Sequence, residues 1–188
     1  GAYESLLCGV GTVWDHYYHA EAVARAVADV GLCAVIAPTL QDVFGPGTHQ
    51  LEAQLESTVR INRDPVLKEK GIFAALGPHA TDTVSDALWR QVSDLSEQED
   101  LIVHAHVAQS VEEFERSVQN HGCSPIERLQ RLGVLAQGPG MLLVHGLFVS
   151  HDDLELLEPA RHILGYCPYS QVQFAFPAAF EDWIAAGL

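Results

Sequence analysis

Positive charge is scarce in this chain. Ten Lys and Arg stand against 25 Asp and Glu in 188 residues, a formal charge of −15. A surface that negative repels phosphate backbones and anionic headgroups, and no basic stripe offsets it, so nucleic acid and membrane are not expected partners. Long hydrophobic runs are missing too, since no stretch nears the ~18 apolar residues of a membrane-crossing helix. Residues 1–9 have neither a basic lead nor a long apolar stretch, so no signal peptide is expected there. Only four cysteines occur, Cys8, Cys33, Cys123 and Cys167, and none forms a C-x-x-C. Their spacing matches neither a zinc knuckle nor a small disulfide framework, which leaves buried thiols in a cytoplasmic protein as the expectation. No glycine-rich loop links a strand to a helix; "GVGTVWD" precedes or enters the first strand, which weakens a nucleotide-binding reading. Internal repeats and linkers are absent, so residues 1–188 read as a single domain.

What is present is a core. The chain is 48% apolar, and its apolar runs at 11–14, 32–37, 71–76, 101–107, 141–148 and 162–166 read as strands. Runs such as "LCAVIA" and "MLLVHGLFV" are continuous rather than alternating, the mark of parallel strands covered on both faces. Between them lie helical patterns. Ala20, Val23, Ala24 and Val27 fall at i, i+3, i+4, i+7, with Gly31 as the stop. Ser85 or Asp86 caps the pattern through Leu88, Val92 and Leu95, and "SVEEFERSVQNHG" opens on acidic residues and closes on Gly122. Pro125 sits near the first turn of the next helix, and "SHDDLELLEPARH" and "FPAAFEDWIAAGL" supply two more. Residues 41–70 read as a partly helical surface excursion. The alternation implies an α/β fold with right-handed crossovers, either a doubly wound open sheet or a parallel (β/α) barrel of TIM type, with about six of the barrel's eight strands.

Polar residues collect at the strands' carboxyl ends, where α/β proteins place their sites. Asp15, His16 and Tyr17 end the first strand, Thr39 and Gln41 follow the second, and His79 follows the third. His104, His106 and Gln109 occupy or end the fourth, His145 lies inside the fifth, and Ser170 follows the sixth. His104 and His106 alternate onto one face of their strand. A single histidine here is more simply a core residue bonded to a backbone carbonyl. Three on neighbouring strands favour a metal, because each buried imidazole needs a partner of its own. Trp14, Trp89 and Trp183 read as core or helix-packing residues, and "SEQED" as a solvated helix end.

Five segments in register carry a resemblance: "GVGTVWDHYYHAEAVARAVADVGLCAVIAPTL", "GPHATDTVS", "IVHAHVAQS", "LLVHGLFVSHDDLELL" and "YCPYSQ". Together they resemble the amidohydrolase superfamily, in the branch of cytosine deaminase, chlorohydrolase and adenosylhomocysteine deaminase. The resemblance implies hydrolysis of a C–N or C–Cl bond, by deamination of a small nitrogen heterocycle, with Zn2+ or Fe2+ activating a water. It implies that His106 binds metal, that His145 lies near the metal and its water, and that His79 contacts substrate. His104 matches no ligand position. Gln171 stands where that branch has Asn, and Gln109 where it has a proton-shuttling Glu. An amide can orient a water but exchanges no proton near neutral pH, so Gln109 implies altered chemistry. Glu112 and Glu113 are close in sequence, but a helical start should point both away from the site.

The resemblance also implies a His-x-His metal pair on a first strand and an Asp on a last one, and neither falls within these residues. A truncated barrel with open edges is therefore the expectation, joining copies into a homo-oligomer. The alternative function is a catalytically inactive relative serving as a binding or oligomeric scaffold.

Overall fold

The computed structural model describes residues 1–188, apart from the side chain of Phe174. Its contacts divide the chain into two compact units, Gly1–Gly77 and Pro78–Leu188.

In the first unit, a short helix α1 (Ala2–Leu7) leads to β1 (Thr12–Tyr17), α2 (Ala20–Val30) and β2 (Cys33–Leu40). A 3-10 turn (Pro46–Gln50), α3 (Leu51–Arg63), α4 (Pro65–Glu69) and β3 (Ile72–Ala74) follow. The sheet runs β1-β2-β3, all parallel, with Thr12 opposite Cys33 and Ala34 opposite Ile72. Central β2 is buried along nearly its whole length, while edge strand β1 has no fully buried residue. That contrast is why the run of β2 is continuously apolar while β1 carries Thr12, Asp15 and His16. Ala20, Ala24, Val27 and Ala28 bury one stripe of α2 against β2, and Gly31 ends the helix at φ +77°, a conformation that costs glycine nothing. Residues 41–70 are partly helical as expected but are not a surface excursion, because α3 packs on β2 and β3 and buries Gln54, Thr58 and Ile61.

A two-residue strand, β4 (Gly77–Pro78), comes next. The second unit holds α5 (Asp86–Glu99), β5 (Val103–Val107), α6 (Val111–His121), α7 (Pro125–Arg131) and a 3-10 turn at Val134–Ala136. After it come β6 (Met141–His145), α8 (His151–Glu155), β7 (His162–Gly165), α9 (Pro168–Phe174) and α10 (Phe180–Ala185). Its sheet is again parallel, in the order β5-β6-β7. Ser85, Ser110, Ser124 and Ser150 each cap a helix through the hydroxyl, satisfying an otherwise orphaned N–H. Leu88, Trp89 and Val92 form the buried stripe of α5.

All six strand segments expected from sequence hold strands, so the chain is α/β with parallel sheets. Several expectations need correction. The fifth strand ends at His145 and not at Phe148, because the backbone turns there. The "CPYSQ" segment, matched to a turn in the resembling branch, is here the start of a helix, α9, since Pro168 is already fixed at a helical φ. Trp14 is exposed on the edge strand, whereas Trp89 and Trp183 are buried. Cys123 is buried and Cys167 half-buried, but Cys8 and Cys33 are exposed, so buried thiols describe only part of the set. Among the described residues no helix is long and apolar enough to cross a membrane.

Candidate active site

Three histidine rings meet near the carboxyl ends of β5 and β6. The register sets His106 opposite Val144 and Val107 opposite His145. The His106 ring lies 5.4 Å from that of His145, stacked at 25°, and 5.2 Å from that of His79, edge-on. His104 is buried one pleat back, with its ring centre 6.5 Å from that of His106.

The carbonyl of His79 accepts two bonds from His106, from the backbone N–H at 3.0 Å and from Nδ1–H at 2.9 Å. A carbonyl only accepts, so Nδ1 carries the proton and Nε2 the lone pair. Metal-ligating histidines are held in this way. Burial pushes His106 down to about 3, with the neighbouring rings of His79 and His145 adding to the shift. Burial alone takes His104 to about 4, and it lowers His79 and His145 as well. At neutral pH these rings are neutral imidazoles, as ligands and acceptors must be.

The backbone around them is strained and braced. His145 has φ +83° and Ala108 φ +53°. A left-handed conformation costs a residue with a Cβ about 1–2 kcal/mol, and such outliers cluster at functional sites. Ala108 O accepts from Leu147 N at 2.9 Å and from Phe148 N at 3.0 Å, tying the turn after β6 to that after β5. From the other side, the wholly buried Glu113 carboxylate accepts from Ala108 N at 3.1 Å, from Gln109 N at 2.8 Å and from the Thr81 hydroxyl. Burial raises the pKa of Glu113, against the pull of these donors. Arg116 pairs with Asp82, and Arg128 binds Asp86 together with the carbonyls of Thr81 and Val84, which fixes the segment carrying His79. Sequence reasoning missed this brace, although the S-x-x-E spacing of Ser110 and Glu113 was a visible capping signal.

A cavity of about 480 Å3 opens here, lined by Gln109, Ser110, Glu112, His145, Ser170 and Gln171 among others. That volume lies within the ~300–1,000 Å3 of small-molecule pockets. Gln109 and His145 line the cavity, and behind them the ring of His106 contacts those of His145 and His79. Glu113 turns inward to the turn, but Glu112 lines the cavity, which corrects the expectation that both point away. Bonds from its own backbone N–H and from the Ser110 hydroxyl hold the Glu112 carboxyl below its usual range.

The polar strand ends of the first unit are differently occupied. His16 Nε2 lies 3.0 Å from Gly77 O, and Gln41 Oε1 accepts from the Tyr18 hydroxyl and from Gly47 N. Burial raises the pKa of Asp15.

Among the described residues no three His, Cys, Asp or Glu are arranged to hold a metal ion. A catalytic zinc takes three protein ligands and a water. His106 and His145 fit part of such a set, two neutral imidazoles on adjacent strands, and do not close it.

The sequence profile of the Amidohydrolase family matches residues 1–174. The chain belongs to the amidohydrolase family. It is 29% identical, over 93% of its length, to the 5'-deoxyadenosine deaminase of Methanothermobacter thermautotrophicus. It is 30% identical, over 93% of its length, to the 5-methylthioadenosine/S-adenosylhomocysteine deaminase of Symbiobacterium thermophilum. The chain spans 40% of the length of each of these relatives. Among solved structures, an adenosine deaminase from Xanthomonas campestris with bound zinc superposes with a TM-score of 0.85 at 25% identity. That match covers 99% of this chain and 42% of the other.

Proposed function

We propose that this amidohydrolase chain carries part of the site of a hydrolase that cleaves a C–N bond, or a C–Cl bond, of a nitrogen heterocycle with water. Deamination is the favoured reaction, because the relatives matched at 29% and 30% identity are deaminases. The observation that carries this reading is the meeting of His79, His106 and His145 at the ends of parallel strands, with ring centres 5.2 and 5.4 Å apart. The same relatives weigh against an inactive binding scaffold.

In this reading His106 is a ligand of a divalent metal, zinc or iron, supported by its neutral ring and its Nδ1–H bond to His79 O. His145, facing the cavity from a strained turn, orients water or polarises substrate, and His79 contacts substrate. Gln109, held through its backbone by Glu113, orients a water without exchanging its proton. The substrate is a small heterocycle, and nucleic acid and membrane are not partners, in keeping with the net charge of −15. A partial (β/α) barrel forming one domain over residues 1–188, a homo-oligomer joined at open edges and a cytoplasmic location complete the proposal.

Elemental analysis of the purified protein beside His106→Ala, with ammonia release from adenosine followed on both, tests it. The expected result is about one divalent ion per chain, lost together with ammonia release in the variant. Metal-free protein that releases no ammonia overturns the reading.

A further inference from the structure

Three turns carry the side chains of this site, and one wholly buried carboxylate, that of Glu113, connects them. Its Oε1 accepts from Ala108 N and from the Thr81 hydroxyl, and its Oε2 accepts from Gln109 N at 2.8 Å. Thr81 lies two residues beyond His79, whose carbonyl holds His106 through its backbone N–H and its Nδ1–H. Ala108 extends the connection, because its carbonyl accepts from Leu147 N and Phe148 N. Val107 O accepts from Gly146 N at 3.1 Å, so the turn that sets His145 at φ +83° is tied to the same place. Glu113 is the third residue of α6, where a helix ordinarily closes a capping box on its own first N–H. Asp153 does so at the matching position of α8, accepting from Ser150 N at 2.9 Å. Glu113 instead reaches past Ser110 to the two residues before it, and across to Thr81.

We propose that Glu113 is a positioning residue: its carboxylate sets where His79, Gln109 and His145 stand relative to one another, and through them the rate of the reaction. The effect on rate rests on the hydrolytic reading of the site, whereas the effect on the histidines stands without it. Gln109 and His145 line the cavity, and the ring of His106 contacts those of His145 and His79. In such a constellation a misplacement of about 1 Å costs up to about 100-fold in rate. Every partner of Glu113 donates, and a carboxylate, which only accepts, satisfies all of them at once. Glutamine at this position keeps the shape but turns one of the two acceptors into a donor. Either Gln109 N–H or Ala108 N–H then faces another N–H, and that bond is lost.

The test compares the protein with Glu113→Gln and with Val92→Ala, which trims the buried stripe of α5 and removes none of these bonds. NMR follows the ring resonances of His79, His145 and His162, and kcat and KM for ammonia release from adenosine are measured well below each Tm. His162, bonded to Leu135 O and Glu158 N, is the internal control. Glu113→Gln is expected to shift the His79 and His145 rings and leave His162 in place. It should lower kcat by about tenfold or more with KM changed by less than about twofold. Val92→Ala should lower Tm without either change. Thr81→Val, which removes only the hydroxyl, decides the matter if Glu113→Gln does not fold, and should shift the His79 ring. Unshifted rings in Glu113→Gln, or an unshifted His79 ring in Thr81→Val where the first variant does not fold, overturn the proposal. So do equal losses of kcat in Glu113→Gln and Val92→Ala, or a loss confined to KM. Ring shifts in a protein that, unaltered, releases no ammonia uphold the positioning and overturn the hydrolytic reading. Ammonia release that Glu113→Gln leaves unchanged does the opposite.

Discussion

Gln41 and Gln171 are the same residue type, equally buried at 2% and 4% exposure, each beyond the end of a parallel strand, and they do opposite things. In the first unit Gln41 is enclosed. Its Oε1 accepts from Tyr18 Oη at 2.6 Å and from Gly47 N at 2.9 Å, and a Cβ on Gly45 or Gly47 would come within 2.6 or 2.5 Å of the amide. Gly45, at φ +109°, and Gly47 leave room for the loop to close over the side chain. In the second unit Gln171 is buried beside a cavity with neither polar atom bonded. A satisfied buried amide fixes a loop, whereas an unsatisfied one carries a desolvation cost of about 1–3 kcal/mol. One construction of strand, turn and helix thus gives a closed strand end in one unit and an open one in the other.

The largest expected effect is on the brace of the open end. Glu113→Leu leaves Ala108 N, Gln109 N and the Thr81 hydroxyl without their acceptor and should cost about 3 kcal/mol in chemical denaturation. A loss below about 1 kcal/mol would show that the turn after β5 holds without the carboxylate.

Gln41→Met sharpens the contrast directly. It strands Gly47 N and the Tyr18 hydroxyl and should lower stability by about 2 kcal/mol, whereas Gln171→Met raises the ligand-free Tm. If both variants shift Tm in the same direction, the distinction between the two amides fails.

An effect of similar size is conditional on pH. Burial lowers His104 from 6.5 to about 4 in the folded protein. Between those values the unfolded chain binds the proton and the folded one does not, so stability is complete above pH 6.5 and falls as pH drops through this window. His104→Leu should shrink the stability difference between pH 7 and pH 5 by about 2 kcal/mol. An unchanged pH profile would show that His104 is not held neutral.

The smallest effect probes the strain. At φ +83°, position 145 favours glycine over any residue with a Cβ. His145→Gly should therefore be more stable than His145→Ala by about 1 kcal/mol, both having lost the ring. The opposite order would show that the turn after β6 relaxes.

Much of this was legible one residue at a time. The continuous apolar runs placed the six strands, Ser85 and Gly122 marked helix ends, and the strand-end polar residues pointed to the histidines. What misled was local context that ends an element early. The "MLLVHGLFV" run reads as one strand because apolarity persists past His145, yet the positive φ at His145 stops the ladder there. Glu112 and Glu113 are adjacent in sequence and identical in type. Only the turn of α6 decides that one lines the cavity and the other braces the backbone beneath it.

The sequence by itself determined the parallel α/β character and the types of side chain available at the strand ends, because periodicity and spacing are properties of the chain. The tertiary structure alone decided which buried polar groups are satisfied. Whether an amide such as Gln41 or Gln171 finds its partners depends on donors brought close by folding, and no local pattern encodes that distance.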